Sequence, residues 1–210
     1  MAANPLVPFG FRLANLYGSA SPNYALNDRQ IAYNNTNKIA YGDPVKSLST
    51  GYIDVMAVGG STIHGVLFAA DYPLSTAFGG YQFSPYWPGV ALASSSSIVT
   101  AKVCNDPTAV FMAQVRGTAL TVDNVGNNID IYTGTSGAPT AAGISTCALD
   151  AASVNTTATL PFRIVGIVGL TSGNGGSTGA GPIPNYNPTY DNNFVYVKMN
   201  TSDLLNTTGI

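Results

Sequence analysis

The sequence predicts an all-β fold: an antiparallel β-barrel or sandwich with an extended N-terminal arm and a few short helical turns. Three observations lead there. First, charged residues make up only 9% of the 210, and all ten acids are Asp; helices draw on Glu, Lys and Arg, whereas turns and β-surfaces use Asp, Asn, Ser, Thr and Gly. Second, short runs of alternating apolar and polar residues recur along the chain, as half-buried strands require. Third, 23 Gly and 13 Pro punctuate those runs at short spacing, the pattern of a sandwich or barrel.

Residues 1–24 show neither the helical nor the strand period, yet Leu6, Val7, Phe9, Phe11, Leu13 and Leu16 are too apolar for plain disorder. They read as an extended arm that lies in a groove of a partner, with Leu6, Val7, Pro8, Phe9 and Phe11 as interface candidates. A core of residues 25–170 follows. Its first strands are RQIAY, KIAYGDPVKSL, YIDVMAV and STIHGVLFAADY, separated by NNTN, STG and GG.

Residues 71–97 form an aromatic Pro/Gly-rich insertion in that core. Within it, Asp71–Val90 holds the only Trp, with three Tyr and two Phe, and Pro73, Pro85 and Pro88 bar it from regular ladders. Tyr81, Phe83, Tyr86 and Trp87 are its expected anchors, against the barrel or a neighbouring subunit.

Beyond it, SIVTAKVCND places Val99, Ala101 and Val103 on one face, and AVFMAQVRG does the same with Phe111, Ala113 and Val115. Asn105-Asp106-Pro107 between them predicts a hairpin. A helical turn or irregular strand is expected around Asp123, and a strand at 128–132. STCALDAASVNTTAT reads as a strand and then a turn, and LPFRIVGIVGL as a central strand buried on both faces, with a bulge or close backbone packing at Gly166 and Gly169. Residues 171–193 form a Gly/Pro-rich loop. Residues 194–210 supply a closing strand, with Val195, Val197 and Met199 on one face, and a C-terminal tail.

Composition excludes several functions. A net charge of −2, with Lys and Arg scattered singly, leaves no footprint for nucleic acid. The longest apolar run carries Arg163 and is too short to span a membrane, and no leader peptide is visible, so a soluble protein made in the cytoplasm is expected. Cys104 and Cys147 fit no metal or redox spacing and are expected as buried free thiols. Neither a metal nor a cofactor site is expected.

GTSGAPTAAG, at residues 134–143, is similar to the serine motif of subtilisin-type proteases, and His64, with Asp43 or Asp54 before it, completes the order Asp, His, Ser136. Three facts oppose a catalytic reading. Pro139 stands one residue too early, no long amphipathic helix exists for the α/β frame, and the flanks of Ser136 are low in complexity. No catalytic residue is therefore assigned, and His64 reads as a satisfied, partly exposed strand residue. Sequons at Asn34, Asn155, Asn200 and Asn206 read as Asn/Thr-rich β-surface. Exposed Tyr and Trp could alternatively make a sugar-stacking face.

Across nearly the full length, NPLVPFGFR, YGDPVK, QFSPYWPG, CNDPTAVFMAQVRG, NVGNNIDI and LPFRIVGIV occur in an order that resembles the capsid decoration, or cement, proteins of tailed double-stranded DNA bacteriophages. PFGFR and FSPYWPG are the most specific parts; the loop at 171–192 is longer than the family pattern. The resemblance implies a β-barrel-like virion protein, assembled in the host cytoplasm, that binds the outside of the capsid as a homotrimer and contacts several major capsid protein subunits. The alternative is a virion-displayed carbohydrate- or host-binding module.

Overall fold

The computed structural model describes residues 2–14, 26–74, 80–89, 98–132, 143–170 and 182–205. The alternating runs become twelve strands: β1 Arg12–Leu13, β2 Asn27–Ile31, β3 Pro44–Ser47, β4 Ile53–Val55, β5 Gly65–Pro73, β6 Tyr81–Ser84, β7 Val99–Cys104, β8 Val110–Arg116, β9 Asn128–Ile129, β10 Leu149–Asp150, β11 Phe162–Ile167 and β12 Phe194–Met199. Among the described residues the helical content is two 3-10 turns, Val122–Asn124 and Ala151–Ser153. The all-β expectation holds.

Strands β3-β4-β2-β7-β5 form a sheet that closes into a barrel because β3 also pairs with β5; β6 extends it beyond β5. Inside lie Ile31, Val45, Ile53, Leu67, Ala70, Tyr72, Val99, Ala101 and Val103, capped by Ile39 and Trp87. The alternation of β7 matches the sequence, with Val99, Ala101 and Val103 all inward. Strand β5 is buried on both faces. A register shift between Leu67 and Ala69 lets Leu67, Ala70 and Tyr72 share the barrel interior. Val66 and Phe68 face the second sheet instead.

That second sheet runs β1-β8-β12-β11-β9, with β10 also on β8. A bridge from Ile131 to Leu149 brings its far end round to β10, so the sheet rolls on itself. Phe111, Ala113, Val115, Phe162, Ile164, Val195, Val197 and Met199 fill the roll, and the same apolar cluster reaches Met56, Ile63, Val66 and Cys104 of the barrel side. Among the described strands two pairings are parallel, β2 with β4 and β10 with β8, and the other strand pairings are antiparallel; the isolated bridges Ala3–Asp191, Tyr41–Ile144 and Ile63–Ser202 are parallel as well.

Four local expectations are corrected. Strands β7 and β8 do not form a hairpin: they belong to different sheets. Asp106 turns the chain between them, its carboxylate accepting from the Thr108 N–H at 2.8 Å and its carbonyl from the Ala109 N–H at 3.0 Å. The aromatic segment is not barred from ladders. Its prolines fall where no ladder hydrogen bond is needed, since Leu74 N–H donates to the Gly80 carbonyl and Tyr72 pairs with Gln82, leaving Pro73 opposite Tyr81 at a non-hydrogen-bonded position. Strand β11 is central, and its bulge lies between Ile164 and Gly166 as read, but only one face is buried: Arg163 stands exposed opposite Lys198. Finally, β12 does not close an edge; it lies between β8 and β11.

Candidate interaction surface

The N-terminal arm is held first by its own chain. Asn4 N–H donates to the Asp191 carbonyl at 2.9 Å, and the Asn4 side chain both donates to the Asn187 carbonyl (2.9 Å) and accepts from the Asn187 N–H (3.0 Å). The amide of Gln114, fully buried, replaces a missing strand: it donates to the Pro5 carbonyl at 2.8 Å and accepts from the Val7 N–H at 2.9 Å. Phe9 stacks on Phe194 with centroids 5.4 Å apart. Phe194 in turn packs on Tyr186, whose phenol burial pushes up to about 12 and whose hydroxyl donates to the Val168 carbonyl at 3.0 Å. The groove expected on a partner is thus present on the chain's own second sheet.

The nine interface candidates divide by burial. Phe11 is fully buried, stacked on Phe162 at 4.4 Å, and Trp87 is fully buried, edge-on to Tyr72 at 5.4 Å with its indole N–H donating to the Asn35 carbonyl. These two anchor the chain to itself and offer no side-chain surface to a neighbour. Pro8, Phe9 and Tyr86 are half-buried. Leu6 and Val7 on the arm, and Tyr81 (68% exposed) and Phe83 (70% exposed) on β6, stand in the open. Alternation separates them: Tyr81 and Phe83 share one face of β6.

The sequence reading missed three features. Leu204 and Leu205 are exposed just beyond β12, and their only signal was a pair of leucines in a polar tail. Arg12 lies with its guanidinium 4.1 Å from the Tyr41 ring centre and 5.6 Å from that of Phe9; burial lowers its pKa from the ordinary arginine value. The third is a buried polar cluster at one end of the barrel. There His64, expected to be partly exposed, is buried, and its Nδ1 lies 2.8 Å from Asp203 Oδ2. Ser47 Oγ donates to the same carboxylate oxygen at 2.6 Å.

Burial alone would raise the Asp203 carboxyl. The hydrogen bonds from His64 and Ser47, with the charges of His64 and Arg29, outweigh it and hold the group below its ordinary value. Ser47 and Asp203 meet the same ring nitrogen, Nδ1, while Nε2 faces Asn105 Nδ2 at 3.4 Å. In a nucleophilic triad the serine and the acid take opposite nitrogens, so this trio is a clamp for residues 200–205 rather than a relay. Ser136 lies outside the described residues, as does the 171–181 part of the long loop. Neither acid considered with His64 meets it: Asp43 is buried elsewhere and accepts from Ser145 Oγ and from the Ala40 N–H, and Asp54 accepts from the side-chain amides of Asn35 and Asn37.

A cleft of about 350 Å³ opens beside β8, lined by Arg116, Thr118, Tyr132 and Asp150. The Arg116 guanidinium lies 3.9 Å over the Tyr132 ring, and Asp150 is partly engaged by the Ala152 N–H. Among the described residues, no group of His, Cys and Asp side chains could hold a metal ion, and no helix is long and apolar enough to cross a membrane. Cys104 and Cys147 are buried thiols, as read. In comparisons with known proteins the chain matches no family model, no curated protein and no solved structure.

Proposed function

We propose that the chain is a structural virion protein that binds the outer surface of a phage capsid and stabilises it, as a trimer contacting several major capsid protein subunits. The sequence resemblance motivates this reading, and the all-β architecture is compatible with it. The observation that carries it is the surface: Leu6, Val7, Tyr81, Phe83, Leu204 and Leu205 stand exposed on a chain with only 9% charged residues. Large apolar side chains in water gain free energy when a partner covers them, and few charges need be desolvated on the way. Neither nucleic acid nor membrane enters this role.

The arm is tested by substitution, because removing residues 1–16 would also remove Phe11 from the core. A Leu6→Asp/Val7→Asp variant is expected to melt like the wild type and to co-sediment less with purified capsids that lack the protein. Wild-type protein that fails to co-sediment would sink the proposal. A carbohydrate-binding role is the second reading, favoured by the Arg116–Tyr132–Asp150 cleft, which sets a donor, a ring and an acceptor around a volume suited to a small ligand. Glycan-array binding lost in Arg116→Ala would support it.

A further inference from the structure

Among the described residues, strand β6 leaves its outer edge open: it terminates its sheet and pairs only with β5. Its ladder parity follows from two observations: Leu74 N–H donates to the Gly80 carbonyl at 2.9 Å, and Tyr72 is the partner of Gln82. In an antiparallel pair, hydrogen-bonded positions alternate. Gly80, Gln82 and Ser84 therefore turn their backbone groups toward β5, and Tyr81 and Phe83 turn theirs away from it. No described residue takes up those outward groups. Open edges in folded proteins are usually blunted by charge, lysine above all. Here not one charged residue stands between Asp71 and Lys102.

We propose that β6 pairs with β6 of a second copy of this chain, antiparallel and about a two-fold axis through Gln82. The register is set by the residues themselves. Centring the axis on Gln82 places Tyr81 opposite Phe83 of the other copy, and Phe83 opposite its Tyr81. Both are positions whose backbone groups point outward, so each exchanges two N–H···O bonds, four in all. The axis is normal to the sheet, so the four rings fall on one face as two cross-strand aromatic pairs, among the favourable pairings in antiparallel sheets. A two-fold contact meets each side chain with its own sequence reversed. A charged strand would have to solve that symmetry, whereas an uncharged one faces no like-charge penalty. Self-pairing also consumes both edges and closes at two copies, where a head-to-tail contact would grow a fibre. The inference does not depend on the capsid reading: it needs only the edge, its parity and its lack of charge.

Sedimentation velocity of the full chain over a wide concentration range tests it. The expected result is a reversible association of even order, a dimer or a dimer of trimers. Tyr81→Asp/Phe83→Asp sets carboxylates directly opposite one another and should abolish that association without lowering the melting temperature, since both side chains are exposed. Mixing this variant with Tyr81→Lys/Phe83→Lys should restore it as a heteropair. Gln82 sits on the axis at a non-hydrogen-bonded position, where Cα atoms lie within disulfide range. Oxidised Gln82→Cys should accordingly give a covalent dimer much faster than Val122→Cys, an exposed site away from the edge. A species that stays monomeric or trimeric at every concentration overturns the proposal. So does an association that survives the Asp substitutions, or equal cross-linking at the two cysteine sites.

Discussion

Asp203 and His64 lie 139 residues apart in sequence, yet their 2.8 Å contact fixes the segment after β12 to the mouth of the barrel. Around it, Asp203 N–H donates to the Ile63 carbonyl and Ile63 N–H to the Thr201 carbonyl, so backbone and side chains act together. Because the folded carboxyl titrates below its unfolded value, its contribution to stability is fully present above the unfolded pKa. It is lost as pH falls through the lower, folded one. Asp203→Asn keeps the size of the side chain and removes the charge. It is expected to cost about 2 kcal/mol at neutral pH, the worth of a hydrogen bond to a charged group. The difference from wild type should shrink in urea titrations taken below the ordinary carboxylate range. A constant difference at every pH would show that charge plays no part in the clamp.

Elements cross tightly where the arm passes the turn before β3. Gly10 has φ +72°, and a Cβ there would lie 2.6 Å from the Gly42 carbonyl oxygen and 2.6 Å from Ser145 Cβ. Gly10→Ala must both strain the backbone and push three segments apart, an expected loss of about 3 kcal/mol. Gly51, at φ +85° with nothing within 4 Å of the same added atom, supplies the comparison. There Ala meets only the backbone term, about 1 kcal/mol, and thermal melts of the two variants should separate accordingly.

Much at this scale was legible, because strand period is a local property. Val99, Ala101 and Val103, or Val195, Val197 and Met199, alternate in sequence as they do in space. The bulge in β11 was marked by Gly166. Pairing partners are not local, and the errors collect there: the turn at Asp106 looks the same whether it joins a hairpin or two sheets. His64 was misjudged for the same reason, since nothing within its own strand announces Asp203. Of the interface candidates, periodicity could not tell exposed Phe83 from buried Trp87, because both sit among prolines and aromatic residues.

At the scale of the whole molecule, β5 is the wall shared by the two sheets: Leu67 and Tyr72 face into the barrel, and Val66 and Phe68 pack toward the roll. The apolar cluster that joins Val66 and Cys104 to Phe111 and Val195 couples the halves. Neither half can open without exposing side chains of the other, so one cooperative transition is expected. Calorimetry should give equal calorimetric and van't Hoff enthalpies; two resolved peaks would mean the halves are independent.

The position of β12 also bears on how the chain is made. The barrel strands lie within residues 27–104 and can pair as soon as that stretch leaves the ribosome. Sheet β1-β8-β12-β11-β9 cannot: its middle strand ends at Met199, so β8 and β11 must wait side by side for a partner synthesised after both. Nascent chains therefore pass through an interval with a finished barrel and a gapped sheet, when apolar strand surface is most open to misassociation.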